Sequence, residues 1–228
     1  MSKRQPKFRE KDGICYPRLT TILGEAFPKP QLARFYGAHG TEKANQISNE
    51  AKNLGTKIHH AATDYLKDPA FNPELYNEDC RPAIIALDTW AKAVNLQVIK
   101  AEDDSDDTVL YSKEHGYCCK PDLIAQVNGL PSIVEWKTSK EIYPEYPLQA
   151  AAQCYATAET PATMTIWRAY IVKLPKAGAL EFEVMELNPQ KLSECFARFL
   201  DVLDIWKFLN TWEQFKKETK KEEIKNGI

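Results

Sequence analysis

A chain of 228 residues is long enough for one well-filled hydrophobic core and short for two, so a single domain over 1–228 is expected. Its composition, 43% hydrophobic and 27% charged, is typical of a globular protein, and its apolar runs are too short to cross a membrane. The formal net charge of −2 argues against a protein that coats nucleic acid non-specifically.

The first residues of the chain carry no recognisable targeting signal. They are polar and include Glu10 and Asp12, which argues against a signal or transit peptide. The sequence therefore predicts a cytoplasmic protein of a bacterial, archaeal or phage-infected cell. The six cysteines form no CxxC pair and no zinc-like spacing, which argues against a zinc or iron–sulfur centre.

The N-terminal part of the sequence favours helices. Residues 1–13 are interpreted as a flexible basic arm, and residues 14–96 as a helical layer. Helices are predicted from about Pro30 through Phe35, over 41–67, and over 81–95. Gly55 is a possible break in the second of these.

Strand patterns replace helical ones after Asn95. Four strands are predicted, at 97–101, 109–113, 117–127 and 132–137. The dipeptide Asn128-Gly129 is a strong signal for a tight hairpin turn before the last strand. The acidic loop 102–107 lacks the layout of a calcium-binding EF-hand, so we interpret it as a solvated loop.

Helices and strands alternate in the remaining chain. The predicted elements are a helix over 148–159, strands over 164–173 and 180–187, and an amphipathic helix over 189–217. The full order predicts an α/β (α+β) fold, with a mixed central sheet flanked by helices and an N-terminal helical layer. We assign 97–188 to the core that carries the candidate site and 189–228 to a C-terminal helical segment.

Two carboxylates and a lysine are predicted to converge at one place on the sheet. Alternate residues of a strand face the same way, so Glu135 and Lys137 project together while Val134 and Trp136 enter the core. The hairpin turn folds the preceding strand back alongside, which brings Asp122 near Glu135. The sequence therefore predicts a cluster of two acids and one cation.

The predicted cluster suits metal-dependent chemistry on phosphodiesters. Paired carboxylates repel each other unless a hard cation such as Mg²⁺ or Mn²⁺ lies between them. Such a cation polarises a phosphodiester and lowers the pKa of a water, and Lys137 can orient that water or offset charge on the phosphate. Glu-x-Lys on its own is common and is more often a surface ion pair, so the surrounding motifs decide.

Those surroundings resemble a known nuclease family. The ordered motifs lie at 16–23, 55–59, 116–122, 133–139 and 146–149. Together they resemble the PD-(D/E)xK nuclease superfamily, specifically its RecB-like branch, and within it the mitochondrial genome-maintenance exonuclease and related phage exonucleases. The resemblance covers most of the chain and implies a restriction-endonuclease-like core.

The resemblance implies a set of metal ligands. Asp122 and Glu135 match the metal-binding acids of the family, and His59 matches its additional ligand. The backbone carbonyl of Trp136 would complete the protein's share of the coordination. The neighbouring His60 points about 100° away on a helix and is interpreted as a bystander.

The resemblance also implies catalytic and substrate-binding residues. Lys137 matches the catalytic lysine, and Gln149 matches a glutamine that helps to hold the active site. Gln153 is a rival for the glutamine role, because it stands where the family usually has an aromatic residue. The candidate DNA contacts are Arg18, Thr20, Thr21, Lys120, Thr138 and Ser139. Arg18 stands where relatives commonly have a serine, and Lys120 adds a cation beside the predicted site.

The expected function is that of a Mg²⁺- or Mn²⁺-dependent deoxyribonuclease. We expect an exonuclease that threads single-stranded DNA ends beneath the N-terminal helices, in replication, recombination or repair, with DNA and not a membrane as its partner. The alternative is a non-catalytic DNA- or partner-binding module with the same fold. A CRISPR-adaptation nuclease would carry a cysteine cluster, and a restriction endonuclease would not predict the histidine and glutamine motifs.

Overall fold

A mixed sheet of five strands lies at the centre of the structure, a computed structural model that describes residues 7–68, 72, 74, 76–102, 106–160, 164–176 and 182–226. The strands are β1 (Phe8–Lys11), β2 (Ile14–Pro17), β3 (Gln97–Ala101), β4 (Leu110–Ser112), β5 (Tyr117–Cys119), β6 (Leu123–Val127), β7 (Leu130–Lys137), β8 (Ala169–Lys173) and β9 (Glu183–Leu187). The helices are α1 (Leu19–Ala26), α2 (Pro30–His39), α3 (Thr41–Lys67), α4 (Arg81–Ala93), α5 (Glu145–Glu159) and α6 (Pro189–Asn226).

The order of strands in the central sheet is β3-β6-β7-β8-β9. Strands β7 and β8 are parallel, and the other adjacent pairs are antiparallel. Parallel neighbours need a long crossover connection, and α5 supplies it. The predicted α/β (α+β) class, with a mixed sheet flanked by helices and a helical layer before it, is confirmed.

Helices cover both faces of the sheet. Ile133 of β7 packs in the cluster formed with α1, α5 and α6. Its neighbours Val134 and Trp136 pack in a second cluster with α3 and α4. Because successive side chains of a strand alternate between faces, Glu135 and Lys137 project toward the α5 side. This alternation brings them to the helix that carries both candidate glutamines.

The N-terminal segment forms a hairpin where a flexible arm was predicted. Strand β1 pairs with β2 in antiparallel register, and the turn residues Asp12 and Gly13 have φ of 54° and 76°. Asp-Gly is the preferred dipeptide for a turn with two positive φ values, so the sequence did contain the signal. The ring of Phe8 lies 6.2 Å from that of Trp206. The arm prediction is therefore wrong for 8–11, and residues 1–6 lie outside the described residues.

Two predicted boundaries differ from the structure. Helix α3 runs unbroken through Gly55. The single strand predicted over 117–127 is two strands in different sheets, because β5 pairs with β4 and β6 with β3 and β7. Pro121 lies in the break, where its missing N–H costs no ladder hydrogen bond. Residues 103–105 of the predicted acidic loop lie outside the described residues.

The remaining predicted elements are shifted at their ends. Helix α5 begins three residues before the predicted 148–159, and α6 continues beyond the predicted 189–217. The predicted strand 164–173 is regular only over β8, and 180–181 of the next predicted strand lie outside the described residues. In the part of the chain that the structure describes, we find no helix that combines the length and apolar character of a membrane span.

Candidate metal centre

The β6–β7 hairpin brings Asp122 and Glu135 together. The turn residues Asn128 and Gly129 have φ of 51° and 79°, the geometry predicted for this dipeptide. The register pairs Leu123 with Val134, and its continuation by one residue sets Asp122 opposite Glu135. Both carboxylates are buried, with 8% and 3% of their residue surface exposed. Their charges therefore lie close together in a poorly hydrated place.

Asp122 is held by a backbone amide and faces a histidine. Its Oδ2 accepts a hydrogen bond from the N–H of Trp136 at 2.8 Å, and its Oδ1 lies 3.7 Å from His59 Nδ1. Burial raises the pKa of Asp122, but the charge of His59, with that of Lys137, outweighs burial and holds the pKa below its usual value. Asp122 therefore remains a carboxylate near neutral pH.

The pairing with Asp122 also changes the pKa of His59. Burial opposes a charge on the imidazole, but the carboxylate of Asp122 outweighs this effect, so the pKa of His59 lies above its usual value. In the absence of a cation the ring is therefore a partner of Asp122. A cation that binds here competes with the proton for the same nitrogen.

Glu135 is held by three hydrogen-bond donors. Its Oε1 accepts from Lys137 Nζ at 2.9 Å and from Gln149 Nε2, and its Oε2 accepts from Gln153 Nε2 at 2.8 Å. Burial and the nearby charge of Asp122 nevertheless raise the pKa of Glu135 above its usual value. The Glu135 carboxylate therefore has a fixed orientation but incomplete electrostatic compensation.

Lys137 is half-buried beside the two acids. Its Nζ also donates to Gln149 Oε1 at 3.0 Å and lies 4.7 Å from the centroid of the Tyr146 ring. Burial lowers the pKa of Lys137, but the charges of Glu135 and Asp122 outweigh it, so the pKa is raised. Lys137 is therefore a permanent cation near neutral pH, suited to stabilise negative charge and unsuited to accept a proton.

A close helix–loop approach places His59 at the site. A Cβ added to Gly55 would lie 2.9 Å from Thr138 Oγ1, so glycine allows α3 to come near the loop that follows β7. Four residues later on the same helix face, His59 reaches Asp122. The next residue, His60, is exposed and lines a cavity beside the site. The glycine of the histidine motif thus has a packing role.

Two cavities with part of their lining in common lie at the candidate site. The first has a volume of about 180 Å³ and is lined in part by Arg18, Thr20, Asp122, Glu135, Gln149 and Gln153. The second has a volume of about 640 Å³ and is lined in part by Lys52, Thr56, His59, His60, Thr63 and Thr138. Arg9, Glu102 and Lys120 line both cavities. The two candidate acids therefore line the first cavity and His59 lines the second, and the cavities share three charged lining residues.

Sequence reasoning did not identify Glu102 and Arg9 as site residues. The N–H of Glu102 donates to the carbonyl of Asp122 at 2.8 Å, and its carboxylate lies 3.7 Å from Lys120 Nζ. Burial and then the charge of Asp122 raise the pKa of Glu102. Only the antiparallel β3–β6 pairing brings this residue to Asp122, and the acidic run alone did not reveal the pairing. Arg9 reaches the site through the unpredicted β1–β2 hairpin.

The candidate DNA contacts divide into two groups. Those that line the two cavities are Arg18, Thr20, Lys120 and Thr138. Thr21 is half-buried and lines neither of these cavities. The hydroxyl of Ser139 donates to the carbonyl of Glu141 at 2.7 Å, which closes a local turn. The structure thus brings four of the six predicted contacts to the site.

A second group of possible ligands lies elsewhere in the fold. We call Glu114, His115 and Glu159 the turn triad, and its ligand atoms all lie within 4.8 Å of one another. Glu159 accepts hydrogen bonds from Ser112 Oγ at 2.5 Å and from the N–H of Glu114 at 2.8 Å. Both of its oxygens therefore anchor the turn after β4, which explains the cluster without an ion.

The site triad, which we define as His59, Asp122 and Glu135, fits a hard divalent cation by the chemistry of its donors. Two carboxylates and an imidazole are a ligand set that suits Mg²⁺ or Mn²⁺. Among the described residues, only the turn triad meets the 4.8 Å spacing, so the site triad is more widely spread. Hydrogen bonds to Lys137 and to two glutamines hold Glu135 on the α5 side.

Comparison with known proteins gives a distant structural likeness. The chain matches no protein-family model and no curated protein in sequence. Among solved structures, it is similar to the crystal structure of SSO0001, with 12% sequence identity over 88% of this chain and 78% of that chain. The TM-score of this match is 0.42. A match at this TM-score supports no argument about family or function. A functional proposal therefore depends on the site itself.

Proposed function

We propose that this chain is a Mg²⁺- or Mn²⁺-dependent deoxyribonuclease of the RecB-like branch of the PD-(D/E)xK superfamily. One observation carries the proposal: four separate segments of the fold converge on one cluster. They supply His59 from α3, Asp122 from the position just before β6, Glu135 and Lys137 from β7, and Gln149 from α5. Buried charges that are incompletely compensated are expensive to maintain, and such clusters concentrate at functional sites.

The residues of the site have separable roles in hydrolysis. Asp122, Glu135 and His59 would hold the divalent cation, which would supply Lewis-acid activation of the phosphodiester and of the attacking water. Lys137 keeps its charge and stabilises the negative charge that develops on the phosphate. The oxygen of the water bonds to phosphorus and the bond from phosphorus to the sugar oxygen breaks. The water loses a proton to solvent, and the leaving oxygen gains one.

The shape and charge of the site favour a single strand as substrate. The cavity beside Glu135 is about 180 Å³, below the roughly 300–1,000 Å³ of typical small-molecule pockets. Arg18 lines this cavity, and the cations Arg9 and Lys120 line both cavities, where a phosphate backbone would meet them. We therefore propose that one unpaired strand crosses the acids from one cavity to the other.

The proposed exonuclease action is tested with matched DNA substrates. We expect end-labelled linear single strands to be shortened to small products in Mg²⁺ or Mn²⁺, because their free ends can pass beneath the N-terminal helices. Blunt duplexes should be cut slowly, and covalently closed single-stranded circles of the same sequence should resist. Equal loss of the linear and circular strands would exclude threading and favour an endonuclease.

A DNA-binding assay on the same substrates, beside the cleavage assay, tests whether the protein is an enzyme. Retention of DNA in a binding assay, with no cleavage of any substrate in either metal, would support the non-catalytic DNA-binding module. Failure to bind DNA would point instead to a partner-binding module. Each outcome contradicts the nuclease proposal, and EDTA-treated wild-type protein provides the control for metal dependence.

A further inference from the structure

Gln153 contacts the candidate metal ligand Glu135 directly. Its side chain is 1% exposed, and its Nε2 donates to Glu135 Oε2 at 2.8 Å. The amide cannot be turned around, because its oxygen would then face the carboxylate oxygen and repel it. The donor of Gln153 is thus committed to Glu135, and its acceptor faces elsewhere.

The acceptor of Gln153 has no hydrogen-bond partner among the described residues. Gln149, one helical turn earlier, provides the contrast, because its Oε1 accepts from Lys137 Nζ while its Nε2 donates to Glu135. A buried acceptor without a donor is costly, and such groups are rare in native proteins. Gln153 also lines the cavity that contains Asp122 and Glu135. A ligand in that cavity can supply the missing donor.

We infer that Gln153 holds the attacking water. Its Oε1 accepts a hydrogen bond from that water, while its Nε2 keeps the Glu135 carboxylate in position. A water is suited to this role because it offers O–H donors and fits beside two buried carboxylates. The amide orients the water and takes no proton from it. The inference rests on the proposed nuclease function and extends it to a residue where related nucleases usually have an aromatic side chain.

The two halves of the Gln153 amide are tested by separate measurements. Gln153→Met keeps the length of the side chain and removes both the donor and the acceptor. Loss of the donor should weaken Mn²⁺ binding about tenfold by calorimetry, as expected for a group that orients a metal ligand. Loss of the acceptor should lower the single-turnover rate on linear single-stranded DNA about a hundredfold at saturating Mn²⁺.

Two controls isolate these effects. Gln126→Met makes the same chemical change on β6, at a half-buried position that lines neither cavity, and should leave the Mn²⁺ affinity and the rate unchanged. DNA affinity in EDTA should stay within about twofold of wild type in Gln153→Met, since the amide contacts water and not DNA. Thermal unfolding verifies that both variants are folded. If Gln153→Met does not fold, Gln153→Asn, which withdraws the amide by one methylene, replaces it.

Several outcomes would overturn the inference. A saturated rate within threefold of wild type would show that the acceptor holds no reacting water, even if Mn²⁺ binding is weaker. A loss confined to DNA affinity would reassign the amide to the substrate. Failure of the proposed function looks different, because wild-type protein would then bind Mn²⁺ and cleave no DNA. In that case an unchanged Mn²⁺ affinity of Gln153→Met would also show that the Gln153 amide does not position Glu135 for the metal.

Discussion

The site triad and the turn triad are built from the same residue types in different ways. Each contains two carboxylates and a histidine. The site triad joins α3, the position just before β6, and β7. The turn triad joins one turn after β4 to the end of α5. Ligand atoms are closer in the turn triad, within 4.8 Å of one another. Distance alone would therefore favour the turn triad as a cation site.

Burial and charge separate the two triads. The side chain of Glu114 is 75% exposed, and both oxygens of Glu159 accept hydrogen bonds from the turn. In the site triad, burial and the charge of Asp122 raise the pKa of Glu135, and the two carboxylates face a cavity. A cation would relieve the repulsion between the two buried carboxylates of the site triad, whereas water already screens the charge of the exposed Glu114 in the turn triad. The comparison predicts that only the site triad supports catalysis.

The largest expected effect is the loss of cleavage in Glu135→Gln. The substitution preserves shape and removes the charge that a cation needs, so we expect the single-turnover rate to fall about a thousandfold. The matched variant Glu159→Gln should cleave linear single-stranded DNA at the wild-type rate per folded molecule. Comparable losses in both variants would mean that the comparison between the triads is wrong.

A smaller effect is expected for Lys137→Met. Removal of the half-buried ammonium should lower the single-turnover rate about a hundredfold and change DNA affinity little, because its proposed contact with the phosphate is strongest in the transition state. The measurement uses saturating DNA, with filter binding in EDTA for affinity. An unchanged rate with weakened binding would reassign Lys137 as a ground-state phosphate contact.

A still smaller effect is expected when the histidine of the site triad is replaced. His59→Gln should weaken Mn²⁺ binding about tenfold, since one ligand of several is lost while both acids remain. His115→Gln makes the same change in the turn triad and should bind Mn²⁺ as wild type does. Calorimetric titration of both variants decides the point, and weaker binding in His115→Gln alone would locate the ion at the turn triad.

Local rules predicted the part of the site that lies within one hairpin. The Asn128-Gly129 turn fixes the β6–β7 register, and strand alternation puts Glu135 and Lys137 on one face. Both features depend on neighbours in sequence. The adjacency of Asp122 and Glu135 could therefore be predicted without knowledge of the rest of the fold.

Features that depend on tertiary packing could not be predicted in this way. Glu102 reaches Asp122 only because β3 pairs with β6, and the hydrogen bond from Gln153 to Glu135 depends on how α5 packs against the sheet. The motif resemblance singled out His59, but no sequence pattern explained Gly55 other than as a possible helix break. The close approach to Thr138 supplies that reason.

The smallest expected effect concerns the close approach of Gly55 to Thr138, which brings α3 to the rest of the site triad. In a helix interior, alanine is more favourable than glycine by about 1 kcal/mol. Gly37→Ala meets nothing within 4 Å and should show only this gain. At Gly55 the new Cβ would lie 2.9 Å from Thr138 Oγ1, so the threonine or the helix must shift and the gain should be reduced or reversed.

A double-mutant cycle measures the contact directly. In a Thr138→Ala background the hydroxyl is gone, so Gly55→Ala should again stabilise the protein, and the two changes should couple by about 0.5–1 kcal/mol in denaturant unfolding. A helix that moves away from the loop also moves His59, so Gly55→Ala alone should weaken Mn²⁺ binding a few-fold, and the double variant should restore it. If the two changes in unfolding free energy add within about 0.3 kcal/mol, the Thr138 side chain moves aside at no measurable cost. The site triad would then not depend on glycine at this position, and the contrast with the locally built turn triad would rest on burial and charge alone.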